Sequence, residues 1–377
     1  MLLKTRGRAN GIFEPIIAKI TRDIFHQDKN QILVIQSVLN LHIVNSFNAI
    51  LSTGKLDGNE IKSPFISEIP FLDHLNEGDI IMLNPSGIIN TLYRQKSYQN
   101  FLLVTERCNS NCLMCSQPPK DRDDIPFRLD INTRLIQLIP KDCAELCITG
   151  GEPTLLGKSF FQLISLLTTS LPNTELHCLT NGRSFGWKLF TKQLKALNTS
   201  KLMFGVPLYS DYYQLHDYIV QARNAFNQTM LGLYNLAESN QRIELRIVLH
   251  CLSVERLPQL AKFIYKNIPF VEHITFMGLE NEGYTPFNMS KLWIDPFDYM
   301  TELKEAVMFL AARGMNVSIY NLPLCLQPEI LWQFNKKSIS DWKNIYLDIC
   351  KNCTQKNKCG GFFASSIKQV SKHIVAI

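Results

Sequence analysis

The chain has 377 residues, of which 46% are hydrophobic and 19% are charged, which is typical of a globular protein and excludes a disordered one. Its net charge of +6 comes from Lys and Arg residues scattered along the sequence, so no basic arm indicates nucleic acid as a partner. The chain opens without the apolar run of a signal peptide, and no apolar stretch is long enough to cross a bilayer. We therefore expect a reducing, cytoplasmic location without a membrane partner. There, the 11 cysteines would be metal ligands, redox groups or packed thiols rather than disulfides.

Residues 1–97 are predicted to form a separate β-containing module. This part of the chain carries none of the clustered cysteines. Near its end, the apolar runs 79–83 and 88–93 flank the turn sequence Asn84-Pro85-Ser86-Gly87, a pattern that predicts a β-hairpin.

From residue 98, short apolar runs alternate with amphipathic stretches. We predict six strands, beginning at residues 101, 145, 175, 201, 243 and 272, with helices between them. Such alternation implies an α/β fold whose strands are parallel, in either an open sheet or an incomplete barrel. Functional sites of such sheets gather at the carboxyl ends of the strands.

The loop after the first of these strands carries a C-x3-C-x2-C motif, formed by Cys108, Cys112 and Cys115. Three thiolates at this spacing can hold three irons of a cubane cluster and leave the fourth iron open to a small molecule. A structural zinc site would need a fourth ligand, and no Cys or His occurs in the ten residues after Cys115. The motif therefore favours an iron–sulfur cluster.

The next two predicted strands also end in candidate site residues. Gly150, Gly151 and Glu152 follow the second strand, and residues 180–182 (TNG) follow the third. The two glycines would let the backbone approach a ligand closely, and the carboxylate can bind an ammonium group. An ordinary strand-to-helix turn with a solvated Glu is the alternative. Because all three loops fall at the same edge of the sheet, we expect one site there.

These motifs resemble those of the radical SAM superfamily over about residues 98–290. The resemblance implies a partial (β/α)6 barrel of the TIM type, with a [4Fe-4S] cluster on the three cysteines that binds S-adenosylmethionine. It places Met114 beside the adenine, and Gly150, Gly151 and Glu152 at the methionyl ammonium. One electron, supplied by a reductant such as flavodoxin or ferredoxin, would break a carbon–sulfur bond and give a 5′-deoxyadenosyl radical that takes a hydrogen atom from the substrate.

The segment after the fourth predicted strand departs from this family. Many relatives have Val-Ser-Leu-Asp there, with polar side chains that reach the ribose, whereas residues 206–211 of this chain read VPLYSD. Pro207 has no polar side chain to make this contact. We expect Ser210 to replace it, with Tyr209 and Asp211 as alternatives, and a solvated turn is the other interpretation.

A second cysteine group lies in the C-terminal part of the chain. C-x2-C-x5-C after a distant cysteine suits either an iron–sulfur cluster or zinc, and the spacing does not separate the two. The run resembles the SPASM or shorter twitch domains that follow many peptide-modifying radical SAM barrels, although Phe363 stands where the longer pattern has a further cysteine. The resemblance implies that residues 291–377 hold one auxiliary [4Fe-4S] cluster, with four ligands: Cys325, Cys350, Cys353 and Cys359.

Three local strings resemble a narrower family, the HxsC-type maturases of the His-Xaa-Ser system. They are residues 103–120, 342–343 and 359–365. The resemblance implies action on a ribosomally made precursor peptide together with a second radical SAM protein, with residues 1–97 in recognition of the peptide or the companion. Two alternatives stay open: a radical SAM enzyme acting on a small molecule or RNA, and a non-catalytic, metal-stabilised partner protein.

Overall fold

A computed structural model describes residues 3–25, 28–35, 47–57, 59 and 61–377. The chain divides into two compact units. One comprises Met1–Leu102, Pro126–Leu146 and Thr169–Thr174, and the other comprises Leu103–Ile125, Cys147–Thr168 and Glu175–Ile377. Within the described residues, no helix has the length and apolar character needed to span a membrane.

The first unit contains a mixed sheet whose strand order is β1-β8-β7-β3-β4-β5-β6-β2. Parallel pairing joins β3, β4, β5 and β6, and the other pairs are antiparallel. The predicted hairpin is present as β7 and β8. The strand bounds are β1 Lys4–Arg6, β2 Arg8–Asn10, β3 Ile16–Thr21, β4 Gln31–Ile35, β5 Ala49–Ser52, β6 Phe65–Ser67, β7 Ile80–Leu83 and β8 Ile88–Tyr93.

This sheet closes on itself at Gly7. The strands at its two edges, β1 and β2, are consecutive in the chain and only Gly7 separates them. The Gly7 N–H donates to the Gly87 carbonyl at 3.0 Å, and a Cβ on Gly7 would collide with Ser67 O and the Ile66 side chain. Glycine is therefore required where the two edges of the sheet meet.

Alternate side chains of these strands form the core of the first unit, because successive strand residues point to opposite faces. The core consists of aliphatic side chains that are almost completely buried, including Ile20, Ile32, Val34, Leu51, Ile66, Ile81, Leu83 and Ile89. Helix α1 (Ile125–Leu138) buries Ile131, Leu135 and Ile136.

The second unit is built on a sheet whose strand order, β16-β15-β14-β13-β12-β11-β10-β9, is the reverse of the chain order. Neighbouring strands from β11 to β16 are parallel, which confirms the expected α/β fold. The six predicted strands are present as β9 to β14, and β15 and β16 continue the sheet. The bounds are β9 Phe101–Leu103, β10 Glu145–Thr149, β11 Glu175–Leu179, β12 Leu202–Pro207, β13 Arg242–Leu249, β14 His273–Gly278, β15 Val317–Tyr320 and β16 Asn335–Lys336.

The two faces of this sheet differ in chemistry. On β13, Ile243, Ile247 and Leu249 are buried on one face, whereas Glu244 and Arg246 lie on the other. Helices connect the strands, as a parallel sheet requires. Their bounds are α2 Lys158–Ser170, α3 Lys188–Thr191, α4 Tyr213–Val220, α5 Ala225–Glu238, α6 Cys251–Val254, α7 Leu257–Asn267, α8 Met289–Leu292 and α9 Met300–Ala311; a small antiparallel pair, β17 Asn344–Ile345 and β18 Phe362–Phe363, follows them.

Candidate functional site

The three predicted cluster ligands lie on one loop after β9. Burial raises the pKa of Cys108 to about 11, and it also raises the pKa of Cys112 and of Cys115. Negative charge on Cys115 and Cys108 is the next largest effect, and it raises the pKa of Cys112 further. A bound cation reverses this preference, because metal centres hold cysteine as the thiolate. The set of three soft thiols is therefore suited to an iron–sulfur centre.

The three thiols do not surround a single point. Across the described residues, no three Cys, His, Asp or Glu side chains converge as ligands of one ion. A cubane cluster binds each cysteine through a different iron, so its ligands need no such convergence.

Backbone hydrogen bonds hold the cysteine loop from two sides. At the end of α4, the Asn111 N–H donates to Val220 O and the Leu113 N–H donates to Ile219 O, both at 3.0 Å. From the segment after β14, the Tyr284 N–H donates to Cys115 O at 2.8 Å. The position of the thiols is thus fixed by elements distant in sequence.

Gly150 and Gly151 bring the loop after β10 into contact with the chain that enters the cysteine loop. The Gly151 N–H donates to Thr105 O at 2.8 Å, and the N–H of the next residue donates to Arg107 O at 2.7 Å. A Cβ on Gly150 would lie 2.5 Å from Thr105 O, and one on Gly151 would collide with Arg107 O. The glycines therefore permit backbone-to-backbone packing beside Cys108.

Glu152 is completely buried and its carboxylate joins the loops after β10 and β11. Its Oε1 accepts hydrogen bonds from the Thr154 N–H at 3.0 Å, the Thr154 hydroxyl at 2.6 Å and the Thr180 hydroxyl at 2.7 Å. Its Oε2 accepts one from the Asn181 N–H at 2.7 Å. Since a carboxylate oxygen accepts two or more such bonds, Oε2 retains room for one further donor. The contact with an ammonium group stays a prediction.

Arg183 is a site residue that the sequence reasoning missed. Its guanidinium donates to Asn109 O and, at 3.0 Å, to the Ser110 hydroxyl, and Nε donates to Gln228 at 2.7 Å. Asn181 adds a contact, from Nδ2 to Asn109 Oδ1 at 2.6 Å. The loop after β11 is thereby tied to the cysteine loop. The signal in the sequence was its position directly after the TNG segment.

Met114 lies in an apolar cluster beside the thiols. It is 7% exposed and packs in the same cluster as Leu113 and Tyr209, with Cys112 against that cluster. Burial raises the pKa of Tyr209 well above its ordinary value, and negative charge on all three thiols of the cysteine loop adds to this effect. Tyr209 is thus a polar ring beside the thiols, in the segment after β12.

Ser210 is also buried, but its hydroxyl is engaged locally. Its Oγ accepts a hydrogen bond from the Tyr212 N–H at 3.1 Å and lies 3.4 Å from Asp211 Oδ1. Asp211 in turn accepts two hydrogen bonds from Arg256, at 2.7 and 2.8 Å. A ribose contact by Ser210 stays a prediction that would require this hydroxyl to exchange a partner.

His250 is a second buried polar ring at this edge of the sheet. It follows β13 directly and is 0% exposed, and within the described residues its Nε2 has no hydrogen-bond partner. Its ring centroid lies 6.3 Å from that of Tyr209. An unpaired buried nitrogen beside an apolar cluster fits a site that receives a ligand with polar groups.

The four C-terminal cysteines line one pocket, whose space of about 290 Å³ includes open solvent. Aromatic and aliphatic side chains complete its wall, among them Tyr346, Val375 and Ile377. Burial raises the pKa of Cys325, a backbone hydrogen bond at Val375 opposes this effect, and negative charge on Cys359 and Cys350 adds to it. Soft thiol donors suit either an iron–sulfur cluster or zinc. The pocket brings together all four residues that the sequence assigned to this centre: Cys325, Cys350, Cys353 and Cys359.

Comparison with known proteins gives one family match and several solved structures that are similar over part of the chain. Residues 102–264 match the family model described as Radical SAM superfamily. No curated protein sequence matches the chain. SuiB from Streptococcus suis, solved with S-adenosylmethionine, is 16% identical with a TM-score of 0.49, and the alignment covers 62% of this chain and 53% of SuiB. The chain thus spans about half the length of SuiB.

Two further solved structures are similar at comparable levels. Native anSMEcpe with bound AdoMet is 18% identical with a TM-score of 0.44, over 58% of this chain and 62% of that one. A radical SAM methyltransferase from Sphaerobacter thermophilus is 12% identical with a TM-score of 0.43, over 64% of this chain and 73% of that one.

Proposed function

We propose that the chain is an enzyme of the radical SAM superfamily, whose family model matches residues 102–264, and that it cleaves S-adenosylmethionine reductively. The proposed centre is a [4Fe-4S] cluster bound by Cys108, Cys112 and Cys115. The observation that carries the proposal is the joining of this cysteine loop to the Gly150–Glu152 loop by hydrogen bonds within the matched domain. When bound, the cluster supplies one electron that breaks a carbon–sulfur bond and yields a radical able to take hydrogen from a substrate.

The chain's own residues position the cofactor and exclude water. Arg183 holds the cysteine loop through Asn109 and Ser110, so the thiols keep their spacing. Met114 and Tyr209 provide an apolar wall beside the thiols that would cover the adenosyl group. The backbone of the Gly150–Glu152 loop and the free capacity of Glu152 Oε2 suit the methionyl ammonium.

The proposed substrate is a ribosomally made precursor peptide of the His-Xaa-Ser type, modified together with a second radical SAM protein. Its support is the resemblance of residues 103–120, 342–343 and 359–365 to HxsC-type maturases. The last two strings lie together, since the Ala364 N–H donates to Lys343 O at 2.7 Å. Flavodoxin or ferredoxin is the proposed class of reductant.

Two further roles complete this proposal. The four-cysteine pocket of the C-terminal region, residues 291–377, would hold an auxiliary cluster that is cysteine-saturated. The N-terminal module, residues 1–97, would recognise the precursor peptide or the companion protein, since it carries no cofactor motif. Residues 98–290 would form the catalytic core between them in sequence.

The decisive experiment is anaerobic reconstitution followed by analysis of metal and product. About eight irons per chain are expected for two cubane clusters, and 5′-deoxyadenosine should form on reduction with S-adenosylmethionine. Cys112→Ala should abolish this product and keep about four irons. Cys178→Ala is the matched control, because Cys178 is a fully buried thiol of β11 outside both cysteine groups, and it should retain the product. Zinc alone in the protein, or product formation by Cys112→Ala, would refute the proposal.

The peptide part needs a separate assay. Incubation of the reduced protein and its companion with the precursor peptide should shift the peptide mass in a manner dependent on S-adenosylmethionine. Cleavage of S-adenosylmethionine without any mass shift, in the presence of the companion, would support the enzyme and overturn the peptide substrate.

A further inference from the structure

A separate cavity lies at the carboxyl ends of β13, β14 and β15. It contains about 620 Å³ of space, part of it open to solvent. Leu249 and Leu279 line it from the ends of the sheet, and Trp293, Leu326 and Phe362 line it from the following segments. The lining is thus mainly apolar and aromatic, as in sites that bind apolar groups.

The cavity lies between the two cysteine groups. Leu279, on its wall, also packs against the apolar cluster that contains Met114 and Tyr209, beside the cysteine loop. Phe362 and Pro323 line both this cavity and the pocket of the four C-terminal cysteines. A group bound here would therefore lie next to the proposed cofactor site on one side and next to the C-terminal cysteines on the other.

Several polar side chains also line this cavity, and among them Asn281 has a buried acceptor atom that gives the cavity a chemical preference; the others include Asn321, Ser366, Gln369 and Ser371. Asn281 Oδ1 is buried and, within the described part of the chain, has no hydrogen-bond partner. The residues on either side of it, Glu280 and Glu282, accept hydrogen bonds from Lys343 Nζ at 2.7 and 3.1 Å, which fixes this segment. A buried acceptor without a donor is unfavourable, so a ligand that offers one N–H would restore the lost bond.

We propose that this cavity binds an apolar ring with one N–H donor, contributed by the substrate, and that Asn281 Oδ1 is its acceptor. The inference rests on the proposed function, because it places the substrate beside the cofactor wall. The aromatic lining matches a flat apolar ring, and Asn281 Oδ1, the buried lining acceptor that lacks a partner among the described residues, matches one N–H donor. The two carboxylates that flank Asn281, opposed by one ammonium, disfavour an anionic ligand.

The test compares indole with 1-methylindole as probes of the full-length reconstituted protein, by ligand-observed NMR titration. Indole has the N–H and 1-methylindole lacks it. The wild-type protein should bind indole about tenfold more tightly, since a buried acceptor left unpaired is costly. Asn281→Leu should bring the ratio close to one by weakening indole only. Asn198→Leu, at an exposed asparagine, should leave the ratio unchanged.

Val370→Trp supplies an independent variant, because Val370 lines the cavity and a larger ring would fill it. It should weaken both probes equally. Equal affinities of the two probes for the wild-type protein would overturn the inference without any variant, and so would an unchanged ratio in Asn281→Leu. Formation of 5′-deoxyadenosine is measured on the same samples, so that failure of the proposed function is recognised separately from failure of this cavity.

Discussion

At the scale of single residues, Glu152 shows how the site is held together from inside. Its carboxylate accepts four hydrogen bonds from the loops after β10 and β11. In Glu152→Gln an amide N–H₂ would replace one acceptor oxygen and face those donors. We expect a loss of about 1–3 kcal/mol in the free energy of unfolding, measured by urea titration. Glu238→Gln is the control, since Glu238 is exposed, and it should leave the midpoint unchanged.

His177 gives the protein a predictable dependence on pH. Burial lowers its pKa to about 4, and the attraction of Glu244 only partly opposes this effect. Since the unfolded value is 6.5, stability is complete above pH 6.5 and is lost as the pH falls from there toward 4. Between pH 7 and pH 5, the free energy of unfolding of the wild type should fall by about 1–2 kcal/mol more than that of His177→Gln. Parallel curves for the two proteins would contradict this assignment.

Some site residues were predictable from the spacing of nearby residues in the sequence, and others were not. The cysteines of the first loop and the Gly-Gly-Glu segment were predictable because each motif consists of residues that are close together in the sequence. Arg183 donates a hydrogen bond to Ser110, which lies 73 positions earlier in the chain. Asn281 Oδ1 lacks a partner among the described residues because of the side chains that the fold places around it. Both facts depend on contacts between distant segments, so the sequence offered no more than the position of Arg183 directly after the TNG segment.

At the scale of elements, the closure of the N-terminal sheet depends on Gly7. A Cβ at this position would lie 2.7 Å from Ile66 and Ile69 side-chain atoms and would collide with Ser67 O. Gly7→Ala should therefore destabilise the first unit by about 1–3 kcal/mol, and faster hydrogen exchange in β1 and β8 would report it. Gly54→Ala is the control, because a Cβ there meets only the Ser52 hydroxyl at 3.6 Å. Equal exchange in the two variants would contradict this role.

Elements with a clear hydrophobic or turn pattern in the sequence were predicted, and elements without one were not. The strands β9 to β14 were predictable because each is a short apolar run bounded by turns or amphipathic stretches. β15 and β16 were not predicted, since β16 has two residues and both lie in the segment assigned to the C-terminal domain. The hairpin of β7 and β8 was predictable from its turn. The parallel pairing of β3 to β6 was not, because register between distant strands is set by packing.

At the scale of the whole molecule, the proposed recognition role of the first unit can be tested at its surface. Phe13 is 93% exposed, and an exposed aromatic ring is a common anchor for a peptide or protein partner. Phe13→Ser should weaken binding of the precursor peptide or companion about tenfold in a pull-down titration and leave 5′-deoxyadenosine formation unchanged. Phe287→Ser, at a ring in the second unit that is 84% exposed, is the control. Equal binding by both variants would remove this support for the first unit's role.

The organisation of the second unit brings the proposed chemistry into one region. The cysteine loop, the Glu152 loop and the loop after β11 share direct hydrogen bonds, and the same unit also contains the four-cysteine pocket. The α/β class was predictable from sequence because strand order follows chain order, and the match of residues 102–264 to the radical SAM family model was predictable because the motifs are local. The cavity between the two cysteine groups was not, since its walls come from segments far apart in the chain.

The most direct test of the account is the effect of S-adenosylmethionine on the reduced cluster at Cys108, Cys112 and Cys115, followed by electron paramagnetic resonance. The measurement uses Cys325→Ala/Cys350→Ala protein, in which this cluster is the only one expected. We predict that the signal changes on addition of S-adenosylmethionine and that 5′-deoxyadenosine and methionine then form in equal amounts. A signal indifferent to S-adenosylmethionine, or a centre that contains only zinc, would contradict the claim that three cysteines leave one iron open.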